Sequence, residues 1–220
     1  MSLPTLADLR ELDGARVLLR LDLNVPVKNG AVQDATRIEA SLPTLRWLLE
    51  RASVVAACSH LGDAKGGTPD PAHSLAPVAS VLEKNLGRPV HFVADCLDPA
   101  AGKAAPGSLL LLENLRFHKG EKANDPEFAR QLAAPFSHYV NDAFGTAHRA
   151  HASVAAAPAL YAPGRKAAGL LMGAEVAALR RMVDDPEQPY VAVVGGAKIS
   201  TKTAPLAALL ERVELMLIGG

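Results

Sequence analysis

The chain has 220 residues, of which 49% are hydrophobic and 21% are charged, and its formal net charge is zero. This is the composition of a soluble globular protein, and it excludes a disordered or fibrous chain. Zero net charge argues against a broadly basic nucleic-acid surface, and no segment approaches the ~18 apolar residues of a membrane span.

The strand candidates are short runs rich in β-branched residues and leucine, and they alternate with segments of helical periodicity. Their apolar runs are continuous, which is typical of strands buried on both faces. The alternation predicts a doubly wound parallel α/β sheet, a Rossmann-like architecture of three layers. The predicted strands are 16–21, 53–58, 90–93, 108–112, 138–141, 190–194 and 214–218.

The predicted helices lie between these strands, at 36–50, 75–86 and 175–183, and another begins at Pro126 with Asp125 as its N-cap. Pro43 should kink the first helix or confine its first turn. The segment 183–189, with two prolines and three acids, is the clearest linker. We expect one domain over residues 1–185 and, over 186–220, the first βαβ unit of a second, truncated α/β domain, because one such unit cannot enclose a core.

The two cysteines, Cys58 and Cys96, lack the spacing of a zinc or disulfide motif. We expect reduced core thiols and no metal ligands in this chain. The N-terminal segment MSLPTLADLR has an acid where a secretory signal needs a basic start, so we expect a cytoplasmic protein.

Polar residues follow the predicted strands at their carboxyl ends, where open parallel sheets bind ligands. Four strand-end loops would meet at one edge and form a local basic cluster in a chain of zero net charge. Guanidinium groups suit phosphate and carboxylate oxygens, so a small, multiply charged anion is the expected ligand. The candidates are Asp22, Leu23, Asn24, His60, Leu61, Gly62, Arg116, His148 and Arg149, with Arg37 from the first turn of a helix.

Each candidate also has a purely structural interpretation. Asp22 could cap a turn, and Arg37 could be a solvated helix charge. Arg116 could pair with Glu113, and the two histidines could be hydrogen-bonded core residues. The shared placement at strand ends favours a binding site.

Common nucleotide motifs are absent, because the sequence has neither GxxxxGK[ST] nor a GxGxxG after a strand. The nearest feature is GGAKISTK at 195–202, between a predicted strand and a predicted helix. Its glycine amides, helix N-terminus and two lysines could hold phosphate, although a plain strand-to-helix turn fits it equally well.

Six segments in order resemble motifs of the phosphoglycerate kinase family, over about Leu12 to the last residue. They are RLDLNVP, DATRIEASLPTL, SHLG, LLENLRF, NDAFGTAHRAHAS and GGAKISTK. The resemblance implies a two-domain enzyme that moves a phosphoryl group between 1,3-bisphosphoglycerate and ADP in glycolysis. Its N-terminal domain would bind 3-phosphoglycerate, its C-terminal domain would bind ATP or ADP with Mg²⁺, and a hinge near 173–183 would close them.

The resemblance also implies roles for individual residues. Asp22 and Asn24 would orient the glycerate, and the loop 60–62 would hold the substrate anion together with Arg116 and Arg149. Arg37 and Lys198 would contact the phosphoryl group in transfer, and Lys202 would reach the nucleotide phosphates.

Two features depart from the family pattern. The family continues SHLG with Arg-Pro, whereas this chain has Asp63 and Ala64, and Lys65 is the candidate to neutralise Asp63. The chain also ends before most of the nucleotide site. We therefore expect a phosphoglycerate kinase part that is monomeric, binds no cofactor alone and does not turn over. The alternatives are a non-enzymatic phosphoglycerate-binding module and a shortened form of the enzyme made for studies of structure and folding.

Overall fold

A computed structural model describes residues 3–184, 186–195 and 203–219. The chain divides into two compact units, one ending at Glu175 and the other beginning at Val176. The predicted domain boundary at residue 185 lies further along the chain and stays a prediction. Among the described residues, no helix is long and apolar enough to cross a membrane.

Strands and helices alternate along most of the chain. The strands are β1 Arg16–Leu21, β2 Val27–Lys28, β3 Ala31–Val32, β4 Val54–Cys58, β5 His91–Val93, β6 Ser108–Leu112, β7 His138–Asp142, β8 Lys166–Ala168, β9 Val191–Val194 and β10 Leu215–Ile218. The α-helices are α1 Thr36–Leu49, α2 Ala76–Leu86, α3 Lys119–Ala123, α4 Pro126–Ala133, α5 Ala156–Ala159, α6 Leu170–Asp184 and α7 Thr203–Leu210.

A six-stranded sheet organises the first unit, in the order β5-β6-β4-β1-β7-β8, and every neighbouring pair is parallel. The chain moves from β1 to β4 on one side, then returns across the sheet to β7 on the other. The direction of winding therefore reverses between β1 and β7, which makes that crevice the preferred ligand position. The predicted doubly wound α/β fold is confirmed.

Successive residues of a strand pack alternately in two separate hydrophobic cores, one on each face of the sheet. Along β1, Val17 and Leu19 belong to the core that α1 and α2 cover, whereas Leu18 belongs to the core that α4 covers. β1 and β4 are almost completely buried, as their continuous apolar sequences predict.

The helix signals have mixed outcomes. Asp125 is the N-cap of α4, and its Oδ1 accepts from the amides of Glu127 at 2.7 Å and Phe128 at 3.0 Å. The helix α1 continues through Pro43, so this proline does not confine it to a first turn.

Three strands were missing from the sequence prediction. β2 and β3 form an antiparallel hairpin around Asn29 and Gly30, whose φ angles are 51° and 71°. Both angles are positive, as a type I′ turn requires, so the Asn-Gly pair was the overlooked signal. β8 is an alanine-rich edge strand beside β7, and its composition carries no strand preference.

The second unit contains the parallel pair β9 and β10, with α7 between them in the chain. This is the predicted βαβ order. Val193 and Ile218 are exposed there. The predicted phosphate-contacting residues Lys198 and Lys202 lie outside the described residues.

Candidate anion-binding site

The carboxyl ends of β1, β4, β6 and β7 deliver the predicted residues to one edge of the sheet. The chain leaves β1 through Asp22 and Leu23, and the next two residues after β4 are Ser59 and His60. Leu23 is fully buried, and its amide donates to Oγ of Ser59 at 2.9 Å. Leu23 therefore contributes through its backbone, which ties the loop after β1 to the loop after β4.

Asp22 and Arg37 form an ion pair at the start of α1. Nη1 of Arg37 lies 2.7 Å from Oδ2 of Asp22, and the Arg37 side chain is 54% exposed. Oδ1 of Asp22 also accepts from the amide of Asn24 at 3.3 Å. The turn-capping interpretation of Asp22 is therefore correct. Arg37 is not a free helix charge, because Asp22 holds its guanidinium group in place.

Asn24 and Gly62 fasten the same two loops together. The Gly62 amide donates to Oδ1 of Asn24 at 2.8 Å. Gly62 has φ +62°, and a Cβ at this position would collide with the ring of His73. The position therefore requires glycine. Leu61, beside it, is buried in the core.

Arg116 reaches this loop from the short helical turn after β6. Its side chain is only 6% exposed, its Nη1 donates to the carbonyl of Gly62 at 2.6 Å, and its Nε has no hydrogen-bond partner among the described residues. Burial lowers the pKa of Arg116. The suggested pairing with Glu113 is wrong, because Glu113 accepts instead from Ser74 Oγ at 2.6 Å and from the Leu75 amide at 2.8 Å.

His60 is a buried, neutral histidine at the same edge. It is 5% exposed, and Nη2 of Arg20 lies 3.1 Å from its Nδ1. Burial lowers the pKa of His60 to about 2, and the positive charges of Arg20 and Arg116 act in the same direction. Because arginine has only donors, Nδ1 accepts and the proton is on Nε2. His60 is therefore a hydrogen-bonded core histidine, and its Nε2–H group is a candidate donor to an anion.

Sequence reasoning missed Arg20, Ser153 and Glu121. Nε of Arg20 donates to Oγ of Ser153 at 3.0 Å, and that hydroxyl donates to Oε1 of Glu121 at 2.6 Å. All three residues are buried, so the Glu121 carboxylate compensates the Arg20 charge across one hydroxyl. An arginine inside an otherwise apolar strand was the available signal, because a buried charge needs a partner.

His148 and Arg149 lie after β7 and are exposed. Nε of Arg149 donates to Nε2 of His148 at 3.3 Å. The core interpretation of His148 is therefore wrong. The positive charge of Arg149 contributes to lowering the pKa values of His60 and Arg116.

Asp63 is the acid in this basic cluster. Its Oδ1 lies 2.6 Å from Nζ of Lys122 and 3.6 Å from Nη1 of Arg116. The hydrogen bond from Lys122 lowers the pKa of Asp63. Lys122, rather than the expected Lys65, is its partner.

The geometry thus provides two fixed donors, Arg116 and the His60 ring, and two exposed guanidinium groups, Arg37 and Arg149. Charged donors held at the edge of a low-dielectric core bind small anions well.

A family model described as phosphoglycerate kinase matches residues 6–220. The chain belongs to the phosphoglycerate kinase family.

Relatives and solved structures agree with this assignment. The chain is 51% identical to the phosphoglycerate kinase of Moorella thermoacetica and 50% identical to that of Thermomicrobium roseum, covering 98% of this chain and 55% of each relative. The structure of phosphoglycerate kinase from Coxiella burnetii matches 100% of this chain with 41% identity and a TM-score of 0.87, and this chain covers 55% of it. The Pyrococcus horikoshii enzyme matches at 30% identity and a TM-score of 0.85, with 99% and 55% covered. The chain spans about half the length of the phosphoglycerate kinases it matches.

Proposed function

We propose that this chain carries the 3-phosphoglycerate site of a phosphoglycerate kinase, which transfers a phosphoryl group reversibly between 1,3-bisphosphoglycerate and ADP. The observation that carries the proposal is the set of donors around the Asn24–Gly62 contact. These donors are Arg116, His60, Arg37 and Arg149. They come from four different elements at the same edge of the sheet. This suits a ligand with a carboxylate and a phosphate.

The proposed roles follow the chemistry of each group. His60 and Arg116 would hold substrate oxygens through fixed N–H groups, and Arg149 would close over them from its exposed loop. Asp22 and Asn24 would accept from the substrate hydroxyl. Arg37 would stabilise charge on the transferring phosphoryl group, where positioning and electrostatics dominate catalysis.

Nucleotide use belongs to the proposal for the whole enzyme. Mg²⁺ with ATP or ADP would neutralise the phosphate oxygens there. Lys198 and Lys202 are our candidates for phosphate contacts in this chain, and we propose no metal ligand for the nucleotide here. A cytoplasmic monomer with a hinge at α6 is part of the same proposal. A non-enzymatic binding module is not favoured, because the relatives are kinases.

Calorimetric titration tests the proposal. We expect the purified chain to bind 3-phosphoglycerate, to bind MgADP weakly or not at all, and to show no turnover at the ~1–100 s⁻¹ typical of kinases. Arg149→Ala should weaken the binding without changing the fold. A parent chain that does not bind 3-phosphoglycerate would refute the assignment of the site to this half.

A further inference from the structure

A second cluster of chemically reactive side chains lies away from the anion site, at the carboxyl end of the edge strand β5. Asp95 and Cys96 follow this strand after one intervening residue, and His118 follows the turn after β6. One ligand atom from each residue lies within 4.8 Å of the other two. Loops that are distant in the chain therefore bring a carboxylate, a thiol and an imidazole together.

The individual contacts hold two of these side chains in place. Nε2 of His118 lies 2.7 Å from Oδ1 of Asp95, which also accepts from the Leu97 amide at 2.9 Å. The His118 ring packs against Phe128, with the ring centroids 5.5 Å apart. The Leu97 amide and Phe128 are outer contacts of the kind that orient metal ligands in proteins, because they limit the rotation of the carboxylate and the ring.

The third donor, Cys96, is 4% exposed and packs in the core beside α4. It nevertheless lines a cavity of about 460 Å³, together with Asp95 and His118. The cavity borders the buried residue Cys96 and has room for a small ion. It also leaves room for a fourth ligand such as water.

The donor set selects the class of metal. Zn²⁺ binds thiolate, imidazole and carboxylate in a tetrahedral arrangement, and three protein ligands with one open position are common. Mg²⁺ prefers oxygen ligands in an octahedral arrangement, so a thiolate does not suit the nucleotide's metal. A thiolate and a carboxylate together neutralise a divalent ion, which lowers the cost of holding it in a partly buried site.

We propose that Asp95, Cys96 and His118 form a binding site for Zn²⁺, separate from the anion site. The Cys96 thiol gives up its proton to solvent when the metal binds, and the Asp95–His118 hydrogen bond is replaced by two metal–ligand bonds. The site ties the loop after β5 to the segment that carries Arg116, since His118 is two residues further on. Sequence spacing could not reveal it, because its ligands come from two loops.

Cobalt titration of the purified full chain under reducing conditions tests the site. Co²⁺ replaces Zn²⁺ in such sites and gives a thiolate-to-metal charge-transfer band in the near ultraviolet. We expect this band in the parent, its loss in Cys96→Ala and its displacement by Zn²⁺. Cys58→Ala is the matched control, because Cys58 is a second buried cysteine on β4 outside the cluster.

Two further variants keep the test decisive if Cys96→Ala does not fold. His118→Gln and Asp95→Asn change partly exposed side chains and should each lower the affinity for Co²⁺ by at least about tenfold. Zn²⁺ should raise the thermal midpoint of the parent and of Cys58→Ala but not of His118→Gln, whereas Mg²⁺ should raise none of them. A parent without the charge-transfer band, or a band that survives in Cys96→Ala, overturns the proposal.

Discussion

Nη2 of Arg20 lies 3.1 Å from Nδ1 of His60, beneath the proposed anion site. The sheet register creates this contact, because Arg20 on β1 pairs with Cys58 at the end of β4, and His60 follows two residues later. A buried guanidinium therefore fixes the tautomer of the imidazole and leaves Nε2–H as the donor. His60 is expected to bind an anion as a neutral hydrogen-bond donor rather than as a cation.

The first prediction concerns the pH dependence of stability. His60 has a pKa of about 2 in the folded chain and an ordinary value of about 6.5 when unfolded. The unfolded state thus binds the proton more readily, and the contribution of neutral His60 to stability is complete above about pH 6.5 and lost as the pH falls toward 2. Below pH 6, His60 should steepen the loss of unfolding free energy by up to about 1.4 kcal/mol per pH unit.

Urea denaturation at a series of pH values between neutral and acidic measures this effect. His60→Gln should flatten the curve, while His148→Gln, which alters an exposed ring, should leave it unchanged. Parallel curves for the parent and His60→Gln would mean that folding does not shift the pKa of His60.

The second prediction concerns the buried charges of Arg20 and Glu121. Removing either partner leaves the other uncompensated, so Arg20→Met and Glu121→Gln should each cost about 3–5 kcal/mol of unfolding free energy. The double variant should be less destabilised than the sum by at least about 1 kcal/mol, because both charges are then gone.

A double-mutant cycle by urea unfolding gives this coupling. The matched control is the exposed pair Arg130 and Glu127, 2.5 Å apart on α4, which should be nearly additive. Additivity at Arg20 and Glu121 would mean that Ser153 does not connect their charges.

The sequence allowed the sheet and the strand-end candidates to be predicted because both depend on local pattern. Continuous apolar runs indicate buried parallel strands, and polar residues after them fall at one edge whatever the details of packing. The Arg20 network escaped prediction because its members are distant in the chain. Arg20 contacts Ser153 across 133 positions, and only the tertiary packing of the turn before α5 against β1 brings them together.

Asp63 illustrates the same limit. Lys65 is close in sequence, yet α3 places Lys122 beside the Asp63 carboxylate. Nothing local to residues 63–67 distinguishes the two lysines. Tertiary packing decides which charge is the partner.

The third prediction separates two arginines of the proposed site. Arg149→Ala should weaken 3-phosphoglycerate binding by about 1.5–3 kcal/mol, the range for charged hydrogen bonds, and should leave the thermal midpoint unchanged because the side chain is exposed. Arg116→Ala should lower both the affinity for 3-phosphoglycerate and the thermal midpoint, because Arg116 is buried and donates to the Gly62 carbonyl. Calorimetry measures the affinity, and thermal melts measure the midpoint. Unchanged binding in Arg149→Ala would remove Arg149 from the site.

The fourth prediction is that Asp63 competes with the substrate. Its carboxylate lies 3.6 Å from Nη1 of Arg116. The negative charge of Asp63 therefore offsets part of the attraction between Arg116 and an incoming anion. Asp63→Asn should tighten 3-phosphoglycerate binding by about two- to fivefold at low ionic strength, the size expected for a solvent-exposed charge. The gain should shrink at high salt, because exposed charges are screened.

Lys122 and Lys65 provide the controls for this competition. Lys122 holds Asp63 at 2.6 Å, so Lys122→Ala should release the carboxylate toward Arg116 and weaken binding in the parent. The same change should matter less in the Asp63→Asn background, where no carboxylate is left to release. Lys65→Ala should have little effect in either background, since Lys122 is the neutralising partner. Titrations of these variants at two ionic strengths decide the matter, and equal affinities of the parent and Asp63→Asn at low salt would show that Asp63 does not oppose the ligand.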